Sequence, residues 1–187
     1  MAVTGTVITV GDLVVSVADA KHHLRVTHTD DDTYIQSLIL AATHHCEEFQ
    51  RRKYLEQTVV EKFDSFPAII RPRYSPLVSV TSIQYVDTAG STQTLDVAEY
   101  DVDTTEEPGR VKPAYTKSWP SIRDVINAVT LTYLAGYGTA DQVREEFKQA
   151  ILLMVGDMYL YRTNQVNEKL HDTQAALKLL WPKRILF

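Results

Sequence analysis

The chain has 187 residues, 44% of them hydrophobic, and a formal charge of −5. That length supports one well-cored domain, or a core with a small appended lobe, and argues against two full domains. The acidic balance argues against a protein that coats nucleic acid, which needs clustered Lys and Arg. A single cysteine excludes an intramolecular disulfide framework and a zinc knuckle.

The N-terminal MAVTGTVITVGDLVV is partly apolar, but it lacks a basic region and is broken by Gly5 and Gly11. It reads as neither signal peptide nor anchor, and no run approaches the roughly 18 to 20 apolar residues of a membrane span. A soluble protein of a reducing cytosol is expected. Next in the chain, Ser16-Val-Ala-Asp19 has capping-box spacing and predicts a short helix to about Arg25. Thr29-Asp-Asp-Asp32 repeats the signal and predicts a longer helix to about Arg52, with Asp30, Asp31 and Asp32 in its first turn against the helix dipole.

Ile35, Leu38, Ile39, Ala42, Cys46 and Phe49 recur at spacings of three and four, so they share the buried face of that helix. The run THHCEE (43–48) looks metal-binding when read as a line. Adjacent helical residues diverge by about 100°, however, and His44, His45 and Cys46 do not converge on one ion. His44 and Glu48, four apart, share an exposed face. A composite hydrolase or nuclease site from His22, His23, His44 and Glu48 is the competing enzymatic reading; solvated helix faces explain the same residues without a metal.

From about 55 to 134 the chain is rich in Val, Thr, Tyr and Ile and punctuated by prolines, which predicts short antiparallel strands. They are expected at Gln57–Phe63, Val78–Val86, Gln93–Asp96, Tyr100–Asp103, Arg110–Lys112 and Val129–Tyr133. Asp87 to Gly90 should form a turn. The apolar phase slips between Val78/Val80 and Ile83/Tyr85, which predicts a bulge or twist there.

Thr139-Ala-Asp-Gln142 again has capping-box spacing and predicts a central apolar helix to about Arg162, with Val143, Phe147, Ala150, Ile151, Met154, Met158 and Tyr161 as its stripe. A final helix, about Asp172 to Trp181, is stopped by Pro182. The predicted fold is therefore α+β: a helical bundle, made of an N-terminal helix pair, a long C-terminal helix and a short final helix, carrying an inserted small antiparallel sheet. The whole is expected to be one domain, with a helical hairpin at 14–54, a β-rich insertion at 55–135, C-terminal helices at 139–182 and a tail at 183–187.

No G-x-S-x-G, P-loop or Rossmann fingerprint is present, and Gly136-Tyr-Gly138 reads as a strand-to-helix turn. No catalytic residue, metal ligand or cofactor site is expected. Two features stand out instead. The apolar and basic end, Leu180, Trp181, Pro182, Lys183, Arg184, Ile185, Leu186 and Phe187, either folds back on its own core or stays exposed for docking. The run containing Asp101, Asp103, Glu106 and Glu107 forms an acidic loop between two short strands.

The order of the parts resembles a known family. Val15-Ser-Val-Ala-Asp-Ala-Lys-His-His-Leu-Arg-Val26 and Asp30-Asp-Asp-Thr-Tyr-Ile-Gln-Ser-Leu-Ile39 are similar to the first helices of the head-tail connector (adaptor) proteins of tailed double-stranded DNA bacteriophages. Gln57-Thr58, Asp64-Ser-Phe-Pro67, Ser79 to Asp87, Trp119-Pro120 and Leu134-Ala-Gly-Tyr137 resemble the family's central region. Phe147 to Leu153, Tyr161-Arg162 and Leu179 to Arg184 resemble its end. One departure is Arg52-Lys53, where such sequences often have Gly-Arg.

The resemblance implies a non-enzymatic virion protein without cofactor, made and assembled in the bacterial host cytoplasm. It implies a ring, typically a dodecamer, attached beneath the portal protein in the phage neck after DNA packaging and meeting the next neck or tail-completion protein. DNA would cross its channel without specific binding. On that reading the tail from Leu180 docks into the portal, truncation after Leu180 leaves the fold intact, and the acidic loop faces the channel or its rim. A head-closure or tail-terminator protein of the neck is the alternative.

Overall fold

A computed structural model describes residues 3–6, 13–161 and 174–185. The elements in chain order are β1 (Val3–Thr6), α1 (Val17–Leu24), α2 (Asp32–Gln50), β2 (Gln57–Phe63), β3 (Leu77–Val86) and β4 (Thr92–Thr94). Then follow β5 (Tyr100–Asp103), β6 (Arg110–Pro113), β7 (Val129–Ala135), α3 (Glu145–Leu160) and α4 (Gln174–Leu180). This is the predicted α+β mixture, with β1 an additional strand. The chain divides into two compact units: Met1–Val10 with Glu56–Gly136, and Gly11–Leu55 with Tyr137–Phe187.

The first unit is built on an antiparallel sheet of order β1-β2-β7-β3-β4, with β5 and β6 forming a separate two-stranded ribbon. Strict alternation in VTLTYLA places Val129, Leu131, Tyr133 and Ala135 on the buried face of β7, the central strand. The expected bulge is present: the register of β3 against β7 shifts between Leu77 and Ser79 and again between Val80 and Ser82. Those insertions let Leu77 and Ile83 both face the core despite the slip in pattern. Ile70 is tied to Val111 by a reciprocal pair of backbone hydrogen bonds of 2.8 and 2.9 Å.

Among the described residues of this sheet, one polar side chain is buried. Glu61, 1% exposed, accepts a 2.5 Å hydrogen bond from the Tyr133 hydroxyl and a 2.7 Å bond from the Arg73 amide. The Tyr74 amide donates in turn to the Tyr133 hydroxyl at 3.2 Å, so the segment entering β3 is pinned to the sheet. Burial raises the Glu61 carboxyl above its ordinary value, against the opposing pull of the Tyr133 and Arg73 bonds.

In the second unit α2 and α3 form the main pair, and α1 and α4 each pack on both. Ile35, Leu38, Ile39, Ala42 and Cys46 of α2 meet Phe147, Ala150, Ile151 and Val155 of α3 in one core, as their spacing predicts. Tyr54 stacks on Phe147 with ring centres 5.1 Å apart, a geometry worth about 1 kcal/mol beyond burial alone. Tyr161, expected on the α3 stripe, is exposed, because the helix ends at Leu160.

Helix starts follow the sequence signals in one case of three. Ser16 caps α1 by accepting from the Asp19 amide at 3.0 Å. Thr29 does not cap α2: Asp31 takes that position without a side-chain cap, and only Asp32 lies in the first turn. The carboxylates are recruited by tertiary partners instead, Asp32 by Lys21 at 2.7 Å and Asp31 by the Tyr159 hydroxyl. The Thr139/Gln142 box closes a short 3-10 turn, Ala140–Gln142; extended Val143 and Arg144 then delay α3 to Glu145. Of the final helix, 172 and 173 lie outside the described residues.

Candidate functional site

The candidate surfaces are the two that the sequence singles out. The first is the C-terminal segment. Leu180 and Ile185 are buried in the helix-unit core, Trp181 is 60% exposed, Pro182 and Lys183 are exposed, and Arg184 is half-buried. Trp181–Lys183 form a 3-10 turn after α4. Leu186 and Phe187 lie outside the described residues.

This segment is not a free tail. Gln50 Nε2 donates to the Leu180 carbonyl at 2.7 Å, the Ile185 amide donates to the Gln50 carbonyl at 3.0 Å, and Arg52 Nε donates to the Lys183 carbonyl at 2.7 Å. Expectations for Leu180 and Ile185 as docking residues are corrected accordingly: both are core residues, and truncation after Leu180 would remove Ile185 from that core. The Arg184 guanidinium lies 4.7 Å from the Phe49 ring centre and 5.5 Å from that of Trp181, a cation-π arrangement that stiffens the turn.

The holding residues come from the end of α2 and the two residues after it, where periodicity offers least warning. Gln50 also accepts from the Tyr54 hydroxyl at 2.7 Å, and Arg52 also donates to the Tyr137 hydroxyl at 2.9 Å. Glu47, buried, accepts from Lys53 Nζ at 2.9 Å and from the Tyr54 amide at 2.8 Å. Arg52-Lys53, the departure from the family pattern, is thus used twice. The missed signal was Glu47 and Gln50: polar residues one turn apart, flanking the apolar stripe that Cys46 occupies.

The acidic run connects β5 to β6 and is organised by Arg110. Asp103 accepts from Arg110 at 2.6 and 3.2 Å and from the Thr105 hydroxyl and amide, while Glu106 pairs with Arg110 at 3.1 Å. The Thr105 hydroxyl first, then Arg110, hold the Asp103 carboxyl well below the usual carboxylate range. Asp101, Glu106 and Glu107 are exposed. Asp101, Asp103, Arg110 and Lys112 border a hollow of about 320 Å³.

The histidines of the enzymatic alternative are dispersed. His44 and Glu48 lie on the exposed face of α2, and His22 and His23 line a groove beside α1. Among the described residues no group of three or more His, Cys, Asp or Glu is placed to hold a metal ion. Cys46 is buried; burial first, then the neighbouring Glu47 charge, push its thiol up to about 12.

Residues 14–86 match the family described as phage gp6-like head-tail connector proteins. No curated protein matches the chain. Among solved structures, a chain from the neck of an empty gene transfer agent particle, computed with C6 symmetry, is 18% identical. The match covers 99% of this chain and 96% of that one with a TM-score of 0.83. A chain from the virion of the native particle is also 18% identical, over 98% and 96%, with a TM-score of 0.80. One from the native neck, computed with C12 symmetry, gives 18%, 99%, 96% and 0.79. Residues 14–86 are thus similar to the phage gp6-like head-tail connector family, and the fold is shared with these neck and virion chains along almost its whole length.

Proposed function

We propose that this protein is a head-tail connector subunit, a structural component of the neck of a tailed phage or phage-like particle, with neither substrate nor cofactor. The carrying observation is the family match over residues 14–86 on a fold shared with chains from particle necks. The C6 and C12 symmetries of those necks support a ring of identical copies, twelve on the larger count. Such a ring closes through head-to-tail contacts between successive copies.

The acidic balance suits a channel that DNA crosses without sticking, since like charge opposes binding at close range. In this reading Asp101, Asp103, Glu106 and Glu107 face the channel or its rim. The exposed turn Trp181–Lys183 is a docking surface toward a neighbouring chain; the resemblance implies that one face of the ring meets the portal and the opposite face the next neck protein. The subunits are made in the host cytoplasm and join the virion there.

Deletion and complementation provide the test. Particles made without the protein are expected to accumulate as tailless heads, and the protein supplied in trans should restore a ring directly below the portal in electron micrographs. Normal necks in its absence would overturn the proposal. Density one layer further from the portal would assign it to head closure or tail termination instead.

A further inference from the structure

A closed ring needs a joint with two different, complementary faces on each copy. The helix unit carries a pair of features that match as such faces. One is the turn after α4, where Trp181 and Lys183 project from a backbone already fixed by Gln50, Arg52 and the Ile185 amide. Presenting them to a partner therefore costs little ordering entropy. An exposed tryptophan on a rigid support, backed by a guanidinium, has the chemistry of an interface anchor.

The other feature is a groove of about 560 Å³ where the start of α1 faces the start of α3. Leu13 and Leu152 line it with the carboxylates Asp19, Asp141 and Glu145, and His22 and His23 border it as well. Lys148, paired with Glu145 at 2.7 Å, offsets only one of the three carboxylates. The groove thus offers apolar side chains and an excess of carboxylates to a turn that offers an aromatic ring and a basic group. α1 and α4 both pack on the α2–α3 pair. Within one copy the Lys183 charge acts on Glu146 at the start of α3, beside the groove-lining Glu145; after the Glu146 backbone amide, it helps hold that carboxyl below its ordinary value.

We infer that the turn of one copy seats in the groove of the next, with Trp181 against Leu13 and Leu152 and Lys183 against Asp141 and Glu145. The inference rests on the ring reading and names a second copy, rather than the portal, as the partner of that turn. Each contact is small, but closure repeats it around the ring, so a modest joint suffices. Its ionic part weakens as salt rises, and its apolar part does not.

Cross-linking on assembled necks tests this, because Cys46 is buried and leaves introduced thiols as the reactive ones. His22, exposed on the groove side of α1, and Lys183 are changed together, His22→Cys with Lys183→Cys, and treated with a short bis-maleimide. A ladder of covalent multimers is expected from the double variant and none from either single variant. Monomers only, from rings that electron microscopy shows intact, would overturn the contact; so would a product joined to the portal, and either result leaves the connector proposal standing.

Absence of the protein from the neck altogether would sink the connector proposal itself. A second arm guards against a double variant that fails to assemble. Lys183→Glu should lower ring recovery about tenfold, and Asp141→Lys with Glu145→Lys in the same chain should restore most of it. Losses on both sides without mutual rescue would overturn the contact.

Discussion

Glu61 and Cys46 show how far burial changes what a side chain does here. Glu61 binds its proton more tightly in the folded sheet than in the unfolded chain, because burial raises its carboxyl. Its contribution is therefore fully present below the ordinary glutamate value and is lost as pH rises through the elevated one. Glu61→Gln keeps an acceptor for Tyr133 and Arg73, so it should flatten the dependence of stability on pH just above the usual glutamate range. Urea midpoints taken across mildly acidic to neutral pH would check it; an unchanged slope would remove Glu61 from the titration. Cys46, with its thiol pushed up to about 12 and no exposed surface, should resist alkylation until the protein is denatured. At this scale the sequence was legible for Cys46, whose place on an apolar stripe is a matter of spacing. It was not legible for Glu61, because a carboxylate between Val60 and Lys62 reads as a solvent-facing residue until Tyr133 and Arg73 are brought beside it from far along the chain.

The helix ends carry the clearest lesson about elements. α1 and α2 both finish with an arginine in the left-handed region, Arg25 at φ 57° and Arg51 at φ 56°. In each, the two following amides bond back to the last turn: Arg25 to His22 and Val26 to Lys21, Arg51 to Glu48 and Arg52 to Glu47. Glycine is the residue this geometry favours, since a side chain there crowds the next carbonyl. Arg25→Gly should raise stability by about 0.5–1 kcal/mol, seen as a higher urea midpoint at unchanged slope. Gln50→Ala works the other way, leaving the Leu180 carbonyl and the Tyr54 hydroxyl without their shared partner in the core. A loss of about 3 kcal/mol is expected, and a loss under about 1 would show that water replaces the amide. Element positions were readable because periodicity is local, as in β7 and α2. Helix starts at Thr29 and Thr139 were misread because distant partners, Lys21 and Tyr159 in the first case, outcompeted the local cap.

For the whole molecule, the order of parts carried the family resemblance, while the joint between copies stayed hidden because it pairs Trp181 with residues some thirty to 170 positions away in the sequence. If that joint is ionic in part, rings should dissociate more readily as salt is raised, and Lys183→Ala should reduce the salt dependence; mass measurement over a salt series would show it. The insertion of residues 56–136 in sequence between the two halves of the helix unit has a further bearing, on the order of folding. Gln57 is paired with Ala135 across β2 and β7, and the Tyr137 amide bonds the Tyr54 carbonyl at 3.0 Å, so the two ends of the insertion are held together. Left unfolded, the loop from 56 to 136 would oppose the meeting of α2 with α3 by on the order of 4 kcal/mol of closure entropy. A folded sheet removes most of that cost, and its central strand is the last to be synthesised. The ribosome must therefore release almost three quarters of the chain before either unit can close, after which the sheet acts as the clasp that lets the helices find each other.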